Sequence, residues 1–302
     1  MASKGEKISK SKGNSKVEPR ELVKTHSADS IRYWAGTGRL GNDIIFSEET
    51  LARGQKLINK LWNVSKFIEM HIHDYNENKE KFKEEVKEYN DLEYIDKWIL
   101  VKYEEMEKGY LKYLEEYEIG IALNHLEKFF WNFCDDYIEI VKHRLYRPEE
   151  FGERARYSGQ KTVYTLLFKL IQAFSIYLPY VTEEIYHELY MNDMNIPSIH
   201  ITSIENLNIE DKNKEIYLNI GNTIMEIISE LRGEKTNNNV SLKTPFSIVE
   251  IDVNSNILEG ITKAEKDFKA TVTIENLKLN DKQTSLENNF NILKSELIIE
   301  EK

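Results

Sequence analysis

Cysteine is almost absent: Cys134 stands alone among 302 residues, so no intramolecular disulfide can close and no cysteine-based zinc site can form. That fits a reducing compartment and places the expected location in the cytoplasm. Long apolar runs are missing too. Stretches such as Ile119-Gly-Ile-Ala-Leu and Thr165-Leu-Leu-Phe are interrupted by polar residues long before the roughly 20 needed to span a bilayer. No signal-peptide apolar region follows Met1, and no internal repeat is visible. Among the seven histidines, His71-Ile-His73 is an i, i+2 pair that shares no helix face, so no metal site is expected.

What is present suffices for folded domains. Hydrophobic residues make up 40% of the chain and charged residues 31%, which rules out disorder as a whole. The formal charge of -11 argues at first against a polyanionic partner, but its distribution matters more. Residues 1–24 carry seven basic side chains against three acidic ones, and residues 140–170 again carry seven against three. Any nucleic acid would have to find these two islands.

The first fifty residues hold Gly5, Gly13, Gly36, Gly38 and Gly41, a density that implies tight loops near a functional surface. Pro19 can open a short helix through Val23, and Ser27 can cap a second carrying Ile31, Trp34 and Ala35. Long helical periods follow. Leu57, Leu61, Val64 and Ile68 mark a helix over about 50–73; Leu92, Ile95, Ile99, Tyr103, Met106 and Tyr110 mark a second. Ala122, Leu126, Phe129, Phe133, Tyr137 and Val141 mark a third, and Val163, Leu167, Leu170, Phe174 and Leu178 a fourth. Pro179 should stop or kink that one, with Thr182 capping a fifth helix that ends near Tyr190. Helices of this length imply a bundle.

Beyond about Ser203 the pattern changes to one more amphipathic helix through Leu231, an Asn-rich turn at 237–239 and β-branched alternation. Phe246 to Val253 reads as a strand with Val249, Ile251 and Val253 on its apolar face. A helix over 257–268 and strands at Val272-Thr-Ile and Leu297-Ile-Ile complete a small α+β region. The expected fold is mainly α, in three consecutive parts: 1–48, a loop-rich segment; 49–203, a helical bundle; and 204–302, a small α+β domain.

The segment Lys7-Ile8-Ser9-Lys10-Ser11-Lys12-Gly13-Asn14 lacks the spacing of a P-loop. Two lysines three apart, separated by small hydroxyl residues and flanked by glycines, can fold over a triphosphate from outside, each ammonium serving as a mobile point charge. Composition alone also fits a solvated Lys/Ser tail. The segment resembles the KMSKS signature of class I aminoacyl-tRNA synthetases, with isoleucine at its second position. Further segments follow in order: Ala28-Asp-Ser-Ile-Arg-Tyr-Trp, Leu40-Gly-Asn-Asp-Ile-Ile-Phe, Asn59-Lys-Leu-Trp-Asn, Asp96-Lys-Trp-Ile-Leu, Phe130-Trp-Asn-Phe-Cys-Asp-Asp-Tyr-Ile, and Thr182-Glu-Glu-Ile-Tyr. All six resemble valyl-tRNA synthetases, and Leu-Gly-x-Asp-Ile and Phe-Cys-Asp-x-Tyr-Ile favour the valine branch over its isoleucine and leucine relatives.

The resemblance implies a C-terminal piece of such an enzyme, beginning at the signature loop and followed by a stem-contact segment and the anticodon-binding bundle. It lacks the His-x-Gly-His half and the editing insertion. In the intact ligase, Lys7 and Lys10 would reach the phosphates of ATP, which is accompanied by Mg2+, with Lys10 favoured for transition-state charge; Ile8, Ser9 and Ser11 would shape the loop. The piece alone is expected not to activate valine. Its expected partner is the valine tRNA, with ATP and valine engaged only by the intact enzyme, and it is expected to be a monomer away from membranes.

For tRNA contact the cations leaving the third helix and crossing to the fourth, Lys142, Arg144, Arg147, Arg154 and Arg156, fit phosphate binding better than any other cluster. Trp62, Trp98 and Trp131 lie in or beside apolar stripes and are expected in the core, as is Cys134. Three alternatives stay open: an isoleucyl-type synthetase fragment, a free-standing RNA-binding helical module, and a protein-interaction scaffold presenting Phe246 to Val253 as an edge strand.

Overall fold

The computed structural model describes residues 19–282 and 288–299. In chain order its elements begin with α1 (Pro19–Thr25), α2 (Ala28–Gly36), α3 (Glu48–His71), α4 (Tyr75–Phe82) and α5 (Tyr94–Glu115). Next come α6 (Ile119–Asn132), a π-turn at Phe133–Tyr137, α7 (Ile138–Tyr146), α8 (Pro148–Phe151), α9 (Glu153–Phe174), α10 (Pro179–Leu189) and α11 (Met191–Met194). The last part contains α12 (Lys214–Asn237), β1 (Phe246–Asn254), α13 (Ser255–Lys263), α14 (Glu265–Val272), β2 (Ile274–Lys282) and β3 (Phe290–Leu297). The mainly α reading therefore holds, with a single small sheet among the described residues.

Helix starts follow local chemistry. Ser27 caps α2 by accepting the Ser30 N–H at 3.2 Å, and Ser47 caps α3 by accepting that of Thr50 at 3.1 Å. The expected start of the fifth helix is corrected: α10 opens at Pro179, and Thr182 lies buried inside it, donating to the Leu178 carbonyl at 2.8 Å. Proline suits the first helical turn because its missing N–H would have no partner there. The cap comes from a distant residue, Asp29, whose carboxylate accepts the N–H groups of Tyr180 at 3.2 Å and Val181 at 2.8 Å. The expected third helix is likewise two helices joined by the π-turn, whose wide turn re-phases the face that follows so that Tyr137, Val141 and Arg144 stay buried.

The chain divides into two compact units, each assembled from separated segments. Of the described residues, the first comprises those up to His73 together with Tyr103–Phe130 and Val163–Leu207; the second comprises Asp74–Lys102, Trp131–Thr162 and those from Asn208 onward.

In the first unit Leu57, Leu61, Leu123, Leu126, Leu167, Leu170 and Phe174 pack as the core, as their periodicity requires. A buried charge cluster centres on Glu127 of α6. This carboxylate accepts the Tyr33 hydroxyl at 2.8 Å and the fork of Arg53 at 3.0 and 2.7 Å. Burial, reinforced by Glu127, pushes the Tyr33 phenol far up. The α2–α3 contact is close: a Cβ on Gly54 would stand 2.6 Å from Tyr33 Cδ1.

The second unit packs α12, α13 and α14 with the sheet and the first half of α5. Trp98 is fully buried over Gly221, whose added Cβ would stand 2.1 Å from the indole Cγ, and its Nε1 donates to Asn222 at 3.0 Å. The sheet order is β2-β1-β3, with β1 parallel to β2 and antiparallel to β3. Val249, Ile251 and Val253 are buried, as the alternation predicts, but β1 is the central strand and offers no free edge. The expected 257–268 helix breaks at Ala264, and Val272 ends α14 instead of starting a strand; β2 begins at Ile274. Beneath β1, Lys235 is buried and donates to the carbonyls of Leu242 at 3.0 Å and Val272 at 2.6 Å, joining the end of α12 to the end of α14.

Candidate functional site

The five cations expected to face phosphate all fall in the second unit, but they do not form one surface. Arg144 of α7 is 1% exposed. Its Nη1 and Nη2 donate to Asp96 of α5 at 2.9 and 2.8 Å, and Nη1 also reaches the Ala155 carbonyl at 3.1 Å. Asp96 additionally accepts the hydroxyls of Tyr137 at 2.8 Å and Ser158 at 2.5 Å. On the other side, Arg144 Nε lies 2.9 Å from Asp267 Oδ1 of α14, a charge contact whose angle misses hydrogen-bond geometry. One guanidinium thus serves two buried carboxylates, and Asp267 is pushed up to about 7, chiefly by its burial, with Arg144 opposing and Asp96 adding to the rise.

Arg156 is also withdrawn from solvent. Its fork clasps Asp74, which also takes Gln160 Nε2 at 2.8 Å and Asn78 Nδ2 at 3.1 Å, while Arg156 Nε closes the end of α7 on the Leu145 carbonyl at 3.1 Å. Burial opposes charge on Asp74, but the bonds from Arg156 and Gln160 outweigh it and hold the carboxyl down at about 2. The sequence expectation is corrected for these two residues: Arg144 and Arg156 cannot offer their guanidiniums to phosphate, because both are buried and committed to carboxylates.

The other three are accessible. Arg154 bridges Glu93 and the Asp91 carbonyl, each at 2.6 Å, and Lys142 pairs with Glu139 at 2.6 Å. Arg147, at the end of α7, is held by three neighbours: Glu150 at 2.7 Å from Nη1, His143 Nδ1 at 3.0 Å from Nη2, and the Phe151 ring 5.4 Å below its Cζ. Burial, with Arg147 and Lys142 adding to it, holds His143 down at about 4, so its ring is neutral near pH 7 and can accept from Arg147.

Arg147 opens onto a groove of about 860 Å³ between α7 and the α13–α14 pair, lined also by Lys263, Lys266 and Lys269. Sequence reasoning missed these three lysines, although their repeat at every third position was a visible signal. It also passed over Tyr146, which closes α7 beside Arg147 and is 58% exposed, the kind of face on which an unpaired base can stack. The tryptophans behave as core expectation requires in part: Trp98 is fully buried, while Trp62 and Trp131 are half-buried. Cys134 is buried.

In the first unit a smaller cleft of about 460 Å³ lies between the loop after α2 and α6, with Arg39, Asn124, His125 and Lys128 on its walls. Arg39 is clamped there by a fork to Glu118, with Nη2 at 2.6 Å and Nε at 3.1 Å. Lys7, Ile8, Ser9, Lys10 and Ser11 lie outside the described residues. Among those described, no group of three or more His, Cys, Asp or Glu side chains is placed to hold a metal ion, and no helix is long and apolar enough to cross a membrane.

Comparison with known proteins gives these places a context. The family model described as the anticodon-binding domain of tRNA ligase matches residues 96–251. The valine–tRNA ligase of Ehrlichia ruminantium (strain Gardel) is 35% identical over 295 residues, covering 94% of this chain and 33% of that protein. That of Rickettsia conorii is 36% identical over 253 residues, 83% of this chain and 30% of the relative. For Rickettsia prowazekii the identity is 33% over 294 residues, 97% and 35% respectively. The chain spans about one third of the length of the curated relatives it matches.

Proposed function

The chain belongs to the family of anticodon-binding domains of tRNA ligases, and from that premise we propose that it is the tRNA-binding part of a valine–tRNA ligase. The observation that carries the reading is that the matched 96–251 runs over helices α5 to α12 and into β1, in a chain whose relatives along almost its whole length are valine–tRNA ligases.

The chemistry follows from division of labour. Helices hold an RNA surface in fixed register, while the ligase reaction of the longer protein activates valine with ATP and transfers it to the tRNA. In that protein Lys7 and Lys10 are assigned to the ATP phosphates, with Ile8, Ser9 and Ser11 shaping their loop; the support for this is the sequence pattern alone. Mg2+ enters with ATP. Among the accessible cations Lys142, Arg147 and Arg154 are retained as candidates for phosphate contact. The protein is read as a cytoplasmic monomer.

The test is a comparison of the purified chain with a tRNA bearing a valine anticodon and one bearing a mismatched anticodon, at about 100 mM salt, where phosphate contacts alone still bind. Tighter binding of the valine tRNA is expected. Equal affinity for both would remove the anticodon-reading role, and preference for an isoleucine tRNA would move the chain to that branch. Purified alone, the chain should show no valine-dependent pyrophosphate exchange.

A further inference from the structure

The family match ends at residue 251, before α13 and α14, yet three lysines that line the groove facing α7 lie on those two helices. The α7 to α14 groove presents Arg147, Lys263, Lys266 and Lys269 against two carboxylates, Glu150 and Glu265. In a chain with a net charge of -11 such a local excess is not what average composition supplies.

The cations differ in how far they are already neutralised. Lys263 is engaged by Glu259 at 2.6 Å. Lys269 sits at a loose 3.8 Å from Glu265, and Lys266 is exposed with no ion-pair partner among the described residues. Arg147 is paired but also fixed in direction: neutral His143 accepts from one nitrogen while Glu150 holds the other, and the Phe151 ring supports the plane. A rigid guanidinium facing two mobile ammonium groups across an open groove matches a run of phosphates better than it matches a single small anion, which would call for a closed, converging set of donors. The exposed ring of Tyr146 next to Arg147 adds a surface on which a nucleotide base can stack.

We propose that this groove carries the RNA backbone, so that the tRNA-contacting surface continues past the matched residues onto α14, with Arg147, Lys266 and Lys269 as its phosphate contacts. The proposal rests on the tRNA-binding reading above and assigns the C-terminal α+β region a part in it. Lysine contacts to phosphate position the RNA without reading its sequence, so their loss should weaken all tRNAs alike.

The experiment measures binding of the full chain to a transcript of a valine tRNA and to a mismatched tRNA by fluorescence anisotropy, from about 50 to about 200 mM salt. K266E/K269E is expected to weaken both by roughly tenfold or more at the low-salt end and to reduce the slope of log K against log salt by about one to two. K266A/K269A should move both quantities in the same direction by less, and K266R/K269R should retain binding. Both lysines stand at the surface of α14, and circular dichroism of each variant checks that the fold is kept. If the unaltered chain binds tRNA and K266E/K269E and K266A/K269A bind it with unchanged affinity and slope, the groove assignment is overturned while the tRNA-binding reading stands; that is also the result expected if the groove takes an acidic protein segment. If the unaltered chain binds no tRNA at any salt, both fall together.

Discussion

Each of the two units buries a carboxylate that takes one tyrosine hydroxyl and one arginine fork, and the difference between them lies in the arginine. In the first unit Glu127 holds Tyr33 and Arg53, and the Arg53 side chain is 55% exposed. In the second, Asp96 holds Tyr137 and Arg144, and that arginine is buried and shared with Asp267. Both units also press an aromatic ring onto a helical glycine, Tyr33 on Gly54 and Trp98 on Gly221. The same parts therefore serve two ends. An arginine that keeps water on one side tightens a helix pair at small electrostatic cost, whereas one sealed between two carboxylates fixes three elements at once and makes them dependent on one another's charge.

The largest separation between the units should come from removing the arginines. Arg144→Met leaves Asp96 and Asp267 buried without their counterion and should cost about 3–5 kcal/mol in urea denaturation. Arg53→Met leaves Glu127 with its tyrosine partner and a solvent-facing side, and should cost on the order of 1–2 kcal/mol. Equal losses would abolish the distinction drawn between them.

Smaller effects should follow from filling the glycine contacts. Gly221→Ala drives a methyl group against Trp98, which the Asn222 hydrogen bond keeps from retreating, and should cost about 1–3 kcal/mol. Gly54→Ala should cost less, because the Tyr33 ring is met at 2.6 Å rather than 2.1 Å. A reversed order would show that the Tyr33 hydroxyl is the stiffer anchor.

The last expected effect is a matter of pH. Asp267 titrates higher in the folded chain, at about 7, than a carboxyl does when unfolded, so folding takes up a proton between about pH 4 and 7. Its contribution is therefore most favourable at the acid end, declines as pH rises through that window and is flat above it. Asp267→Asn should remove the decline, so that the variant gains on the parent by at most about 2–3 kcal/mol between pH 5 and 8. Parallel stability curves for the two proteins would show that Arg144 offsets the burial of Asp267 in full.

Local chemistry made much of this architecture readable in advance. The stripes of α3, α5, α9 and α12, the Ser27 cap and the apolar face of β1 all follow from periods of 3.6 and 2. The π-turn, the break at Ala264 and β2 did not emerge, because each answers to packing: β2 carries mostly polar residues and becomes a strand through its pairing with β1. The expected phosphate cluster failed at Arg144 and Arg156 for a related reason. A count of charges treats every arginine as solvated, while their partners stand 48 and 82 residues away along the chain. A clue was present: Arg144 continues the buried stripe of Tyr137 and Val141, and Asp96 falls on the stripe of Leu92, Ile99 and Tyr103, where charged residues are stable only when paired.

The Asp29 cap on α10 also dictates an order of events during synthesis. Its carboxylate closes on amide groups 151 and 152 residues further along, and its neighbours Arg32 and Tyr33 find their partners 144 and 94 residues later. When α2 leaves the ribosome, the partners of these three residues have yet to be made. At ordinary elongation rates of about 5–20 residues per second, that helix waits for several seconds or more with its tyrosine and carboxylate unsatisfied. This helix is thus made long before those bonds can form, and a chaperone acting on the nascent chain would meet it before these partners do.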